Sequence, residues 1–305
     1  MSKWDAIVAL AALIAVLSAV TSAAGLLARG GQTSTSTSVR GEVVELYGRG
    51  LYRYDSQFLG AGNRGTNAVT LALGVPLLAV AAWRSRRGSL RGRLLLAGTL
   101  GYLLYAYASF ALFTAYNDFF LLYIATFSAS LFALVLAITA IDLRALAERL
   151  SPRLPRRAVG WFMLASGLVT LVVWLGPLLG ALLTGEPPER LDHYTVTVTD
   201  VLDLGVITPA AFLAGALVLR RQPLGVVLAC SLLVLEALLA PLIGAQTVSQ
   251  LEAGVEFETG EIIGPMAGFV ALSLAALWVL ATLLRHVDER PNSRGAEGRT
   301  RGRGE

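Results

Sequence analysis

The chain has 305 residues, of which 55% are hydrophobic and only 15% charged, and its mean hydropathy is +0.64. A soluble chain carries roughly 25% charge, so a water-soluble fold of this size would lack the polar residues to cover its core, and the composition dictates an integral membrane protein. The single cysteine, Cys230, excludes an intrachain disulfide and a cysteine-based metal cluster. The net charge of +4 comes from arginines scattered along the chain, which excludes a concentrated nucleic-acid patch.

A bilayer-spanning helix needs about 20 largely apolar residues. Eight segments qualify in chain order: residues 6–27, 67–83, 94–116, 119–141, 161–183, 204–219, 224–245 and 262–284. The predicted fold is therefore all-α, a polytopic transmembrane helical bundle forming one domain over residues 1–287. An outer loop occupies 28–66, and a disordered cytoplasmic tail occupies 288–305. Span 2 can start near Ser56 only by taking Arg64 into the helix, and span 6 near Val201 only by drawing in Asp203. Span 1 has a second reading. Lys3, an apolar stretch and Thr21-Ser22-Ala23-Ala24-Gly25 also describe a cleavable signal, whose removal would leave seven spans. Its apolar run through Leu27 exceeds a usual signal core and favours an uncleaved anchor.

With the N-terminus inside, 19 of the 25 Lys and Arg residues fall on the inner side and 13 of the 21 acids on the outer side. That asymmetry predicts a multi-pass protein of the cell membrane with both termini cytoplasmic. The two histidines, His193 and His286, fall on opposite sides, so neither a multi-histidine metal site nor a cofactor is expected.

The first outer loop opens with a Thr/Ser run over 33–38, expected to lie extended, and continues with Tyr47, Tyr52, Tyr54 and Phe58 among charges. These aromatics read as a headgroup belt or as a lid over an outer cavity. The glycine pattern Gly60-Ala61-Gly62-Asn63-Arg64-Gly65 matches a dinucleotide fingerprint only in form, because no βαβ unit surrounds it. In the second outer loop, 193–200 alternates threonine at the strand period and reads as an extended lead into span 6.

Glu236 is the most informative residue, lying just past the middle of span 7, where an acid costs roughly 2.5–3.5 kcal/mol to insert. Gly225, Ala229 and Ala240 share its helix face, which turns it toward the bundle. It carries a proton, binds a cation or faces a wet cavity; the plain alternative is a neutral acid bonded to a neighbouring hydroxyl or carbonyl. Gly98, Tyr102, Tyr105, Ser109 and Tyr116 form a polar-tipped stripe on span 3, and Tyr123, Thr126 and Ser130 a weaker one on span 4. Pro76, Pro177, Pro209, Pro241 and Pro265 all fall within spans and free backbone carbonyls there. Spans 1–4 and 5–8 also follow the same plan of loops and prolines, as parallel repeats about an axis along the membrane normal would.

Three stretches, 46–56 (LYGRGLYRYDS), 87–117 (RGSLRGRLLLAGTLGYLLYAYASFALFTAYN) and 246–265 (QTVSQLEAGVEFETGEIIGP), resemble those of a family of prokaryotic multi-spanning membrane proteins with no established activity. The resemblance implies one intact membrane domain and lends no catalytic residues. The expected function is transport or sensing of a small cationic solute or protons through an outward-facing polar cavity. Glu236 is its central carboxylate, Asp200 and Asp203 its outer mouth, and Tyr102, Tyr105 and Ser109 its lining. The partners are the lipid bilayer and the small cation or proton, with a homo-oligomer or membrane partner left open. The alternatives are a non-catalytic assembly or sensor subunit and an enzyme acting on a lipid-like substrate. For the latter no HExxH, GxSxG or intramembrane aspartate pair is present.

Overall fold

In the computed structural model, residues 3–188, 191–257 and 259–289 are described. Eight helices among them are long and apolar enough to cross a membrane, and the protein is an all-α multi-pass integral membrane protein. Spans 1 to 5 are Lys3–Leu27, Gln57–Arg86, Leu90–Phe113, Phe120–Ala140 and Arg156–Thr184; spans 6 to 8 are Val198–Leu219, Pro223–Glu252 and Thr259–Arg285. A short amphipathic helix, Leu143–Arg149, follows span 4. The end of the bundle that gathers residues 84–93, 142–157, 219–223 and 285–289 is the basic end, and the other is the loop end.

Two boundaries differ from the sequence reading, and both have local causes. Span 2 starts at Gln57 because Ser56 caps it, its hydroxyl accepting from the Leu59 N–H, so Arg64 lies inside the helix near its loop end. Span 6 starts at Val198, which takes Asp200 and Asp203 into the helix. The fingerprint-like glycines belong to span 2 and serve close packing: a Cβ on Gly60 would strike the Tyr47 ring, and one on Gly65 the Gln246 backbone. The Thr/Ser run is not merely extended. Thr35–Thr37 (β1) pairs antiparallel with Val43–Glu45 (β2) in a small hairpin. The alternating stretch of the second outer loop forms turns, then helix from Val198.

Spans 3 and 7 are the central pair. Of the most apolar 18 residues of each, 67% and 61% are buried, against at most 44% in the other spans. They run in the same direction and touch through two glycines: a Cβ on Gly98 would lie 2.4 Å from Val234, and one on Gly101 3.0 Å from the Ser231 carbonyl. Each then carries a hairpin partner, span 4 beside span 3 and span 8 beside span 7.

The duplicated plan read faintly from the sequence has a residue-level counterpart at an offset of 133 (Thr70 to Asp203). Span 2 is interrupted by a π-helical turn, Thr70–Gly74, and span 6 by another, Asp203–Ile207. Each is followed at once by a proline in the next turn, Pro76 and Pro209. A π turn there widens the helix where the ring would otherwise clash with a carbonyl. The basic-end turns repeat as well. Ser89 N–H bonds Arg84 O and Gln222 N–H bonds Leu217 O, while Gly88 and Arg221 both take positive φ, 82° and 59°. Gly92 then packs on span 2 as Gly225 packs on span 6. The exchange of partners between spans 3 and 7 (98 with 234, 101 with 231) is that of a twofold axis running between them. By this offset Leu103 is the counterpart of Glu236, and Thr70 that of Asp203.

The halves differ in how far they are packed. In the first, span 1 is buried through Ser18, Thr21, Ser22 and Gly25, and Thr21 shares a hydrogen bond with the Tyr107 hydroxyl of span 3 at 2.6 Å. The segment 46–56 tucks Tyr47 and Tyr52 inside, so these two are neither a belt nor a lid but a plug. Tyr52 stacks on Phe110, which stacks on Tyr123, with centroids 6.2 and 5.2 Å apart. In the second half, span 5 has no buried residue beyond Gly167. Span 8 has none before Ser273 among its described side chains.

At the basic end, Asp288 and Glu289, the first residues of the expected disordered tail, are held in place; 290–305 lie outside the described residues. The Asp288 N–H bonds Arg149 O, and the Glu289 carboxylate accepts from the Ser89 hydroxyl and the Leu90 and Arg91 N–H groups, capping span 3. Burial pushes the Glu289 carboxyl up, but these donors and the Arg91 guanidinium outweigh it and hold it below its ordinary value.

Candidate functional site

Glu236 is 5% exposed, deep in span 7, and its Oε2 has no hydrogen-bond partner. The helix around it is opened. The Ser273 hydroxyl of span 8 donates to the Glu236 carbonyl at 2.7 Å and accepts from the Ala240 N–H at 2.8 Å. It thus enters the backbone ladder one residue before Pro241, a cause of helix bending. The Ser166 hydroxyl of span 5 donates to the Met163 carbonyl at 3.1 Å and lies on the side of span 5 that faces the carboxyl. Gly225 packs on Leu217 and Val218 of span 6. Counting away from that contact along two antiparallel helices of equal rise places Val206 and Ile207 level with Glu236, with Thr208 one or two residues further toward the basic end. Gly167 packs on Ala211 and Phe212, which sets the Ser166 backbone about six residues, roughly 9 Å, toward the basic end of that depth. Thr208 is buried too, and its hydroxyl also lacks a partner. Two unpartnered polar atoms thus lie within about 3 Å of one another in depth on the neighbouring spans 6 and 7. No ion pair involves Glu236 among the described residues.

Asp203, the first residue of the π turn of span 6, is 7% exposed and accepts from the Tyr105 hydroxyl of span 3 at 3.1 Å. Two of the sequence candidates are thereby brought together, with the half-buried Asp200 one turn away. Tyr102 points elsewhere, its hydroxyl 2.9 Å from that of Thr70, the residue that matches Asp203 in the first half. Ser109 donates within its own helix to Tyr105 O. Tyr102 is thus part of the packed contact with span 2, while Tyr105 faces span 6. The two loop-end pockets, about 510 and 290 Å³, lie around β2. Neither is lined by Glu236, Asp203, Tyr102, Tyr105 or Ser109.

A third buried carboxyl was not singled out from the sequence. Asp55, in the plug of the first half, accepts from the Ala115 N–H at 2.7 Å and the Tyr194 hydroxyl at 2.8 Å, while its Oδ2 has no partner. It ties the first outer loop to the turn between spans 3 and 4 and to the second outer loop. Arg40 adds a second tie, donating to Asp192 O and Tyr194 O. Burial pushes the Asp55 carboxyl up to about 7, against the pull of those two donors. The sign follows: a carboxyl raised on folding favours the folded clamp at low pH, and that stability is lost as pH rises from about 4 to about 7, by no more than about 1.4 kcal/mol per pH unit. The hydrogen-exchange protection factor at residues 191–197, exchange corrected for its intrinsic pH dependence, is accordingly expected to fall over that range in the wild type and to be flat in Asp55→Asn; an unchanged profile in the variant would place the titration elsewhere. No signal in the sequence marks Asp55, because its partners come from loops 60 and 139 residues away. Thr208 and Ser166 went unremarked because hydroxyls are ordinary in membrane helices.

Against known proteins the chain returns no match to a family model, to a curated protein or to a solved structure.

Proposed function

We propose that this multi-pass protein moves or senses protons or a small cation through its second half, with Glu236 as the group that takes up the positive charge. The carrying observation is the buried, unpartnered Oε2 of Glu236, with the unpartnered hydroxyl of Thr208 within about two residues of its depth on span 6. Several buried hydroxyls of the chain are likewise unpartnered, but Glu236 carries the one open intramembrane carboxyl among the described residues, and an open buried carboxyl oxygen near an open hydroxyl marks a place for an exchangeable species. The first half has leucine at the matching position, so the fold itself does not demand an acid there. Asp203, bonded to Tyr105, and Asp200 beyond it are the carboxyls between Glu236 and the loop end.

The reading places the protein in the cell membrane with both termini cytoplasmic, since the basic end holds most of the arginines. Span 1 stays attached in it, because cleavage after Gly25 would leave the Tyr107 hydroxyl without Thr21 and strip buried Ile7, Ala11 and Ile14 from the bundle. Intact-mass measurement of the purified protein is expected to retain residues 3–27; a mass beginning past Ala24 would refute the anchor.

The function is tested in proteoliposomes holding an internal pH dye and, separately, a dye for monovalent cations. Wild-type vesicles are expected to show a flux above empty ones that Glu236→Gln abolishes. Equal flux in both rejects the assignment. A second reading, a non-catalytic assembly or sensor subunit, is favoured by the unpacked loop-end faces of spans 5 and 8. Absence of flux with constant copurification of one partner would select it.

A further inference from the structure

We propose that the charge taken up at Glu236 arrives on a membrane-dissolved amphiphile, a primary or secondary amine on an apolar body, entering from the bilayer at the loop-end half of spans 5 and 8. This rests on the reading of Glu236 above and adds the class of ligand and its path.

The internal repeat supplies a control within one molecule. The loop end of the first half is filled by its own chain, with Tyr52 inserted from the loop onto Phe110, which stacks on Tyr123, and Tyr47 packed on Gly60 of span 2. Among the described residues the second half has no such plug. Span 5 is unburied from residue 168 to its end, and span 8 is unburied above Ser273 among its described side chains. That unfilled face leads down to Ser166 and Ser273, and there the polar content also departs from the first half, with Glu236 in place of Leu103 and Asp203 in place of Thr70.

The chemistry of the floor selects the head group. Glu236 Oε2 is an open acceptor at least nine-tenths buried, and the Thr208 hydroxyl is a second open group within about two residues of that depth. Among the described residues no cation of the chain pairs with Glu236. An ammonium head carries charge and two or three N–H donors, enough for both groups; a quaternary ammonium brings the charge without donors, and an alcohol a donor without charge. The apolar requirement comes from the route. Val169, Val172 and Val173 on span 5 and Val270 on span 8 are exposed side chains of membrane-spanning helices, so a molecule arriving there comes from lipid. Toward water the loop end is tied by Asp55–Tyr194 and by Arg40, and neither of the pockets around β2 is lined by Glu236 or Thr208.

The test uses the full-length protein in lipid nanodiscs and its thermal unfolding midpoint. The probes are decylamine, decyltrimethylammonium, decanol and sodium chloride. Decylamine is expected to raise the wild-type midpoint in a saturable, concentration-dependent way, with the other three giving little. The shift is expected to vanish in Glu236→Gln and to need about tenfold more amine in Thr208→Val, the loss of one hydrogen bond to a charged group. Two results overturn the proposal: no decylamine shift in the wild type, or the same shift in both variants, which would make it a bilayer effect. If Glu236→Gln fails to fold, Thr208→Val decides alone. Absence of the amine shift beside a proton or cation flux that Glu236→Gln still abolishes rejects the ligand and its path and leaves the role of Glu236 standing; loss of that flux difference rejects the role itself.

Discussion

Glu236→Leu is expected to yield a protein that is more stable and inactive. Leucine is what the first half carries at the matching position, Leu103, and it is fully buried there. Leaving a buried acceptor without a partner costs about 1–3 kcal/mol, a burden the leucine removes along with the charge, so thermal or denaturant unfolding in detergent should show a gain of about that size. Reconstituted into proteoliposomes, the same variant is expected to show no proton or cation flux above empty vesicles. A residue kept for function at the expense of stability behaves this way. A variant that unfolds more easily than the wild type would show instead that the carboxyl is part of the framework, held by Ser166 and needed for packing.

Gly98→Ala carries the largest expected loss. The added Cβ would lie 2.6 Å from the Cys230 carbonyl and 2.4 Å from a Val234 methyl, and a backbone atom cannot swing aside. Overpacking of this kind costs about 1–3 kcal/mol. The central pair of spans must separate to accommodate it. Gly101→Ala, whose Cβ would meet the Ser231 carbonyl at 3.0 Å, is expected to cost less, and Gly176→Ala, with nothing within 4 Å, to change stability by less than about 0.5 kcal/mol. Midpoints of unfolding in one detergent rank the three. Equal midpoints for Gly98→Ala and Gly176→Ala would contradict the close approach of spans 3 and 7.

The number and order of spans were legible because a bilayer demands a run of apolar residues and the chain supplies eight. The burial of Glu236 was legible for a related reason, since Gly225 and Ala229 share its face. The pairing of Tyr105 with Asp203 was half legible: both residues stood out, but their meeting depends on a π turn that pulls Asp203 inward, and no pattern in Asp203–Ile207 announces it. The repeat was visible only as a plan. Beyond Pro76 with Pro209 and Gly92 with Gly225, the matched positions share backbone conformation more than residue type, as with Gly88 and Arg221. Asp55 was not legible, because a loop carboxylate becomes special only through partners that folding brings to it. The Tyr47–Tyr52 plug was misread for the same reason, since aromatic residues beside a span look alike whether they meet headgroups or enter the bundle.

Infrared difference spectroscopy on the carboxyl groups of the membrane-reconstituted protein, recorded between two bulk pH values and again with and without decylamine, addresses Glu236 itself. The account predicts a carboxyl band that changes under one or both conditions and is missing from Glu236→Gln. Difference spectra identical in the wild type and the variant would mean that neither a proton nor a cation reaches this side chain, and the proposed role of the second half would fall with it.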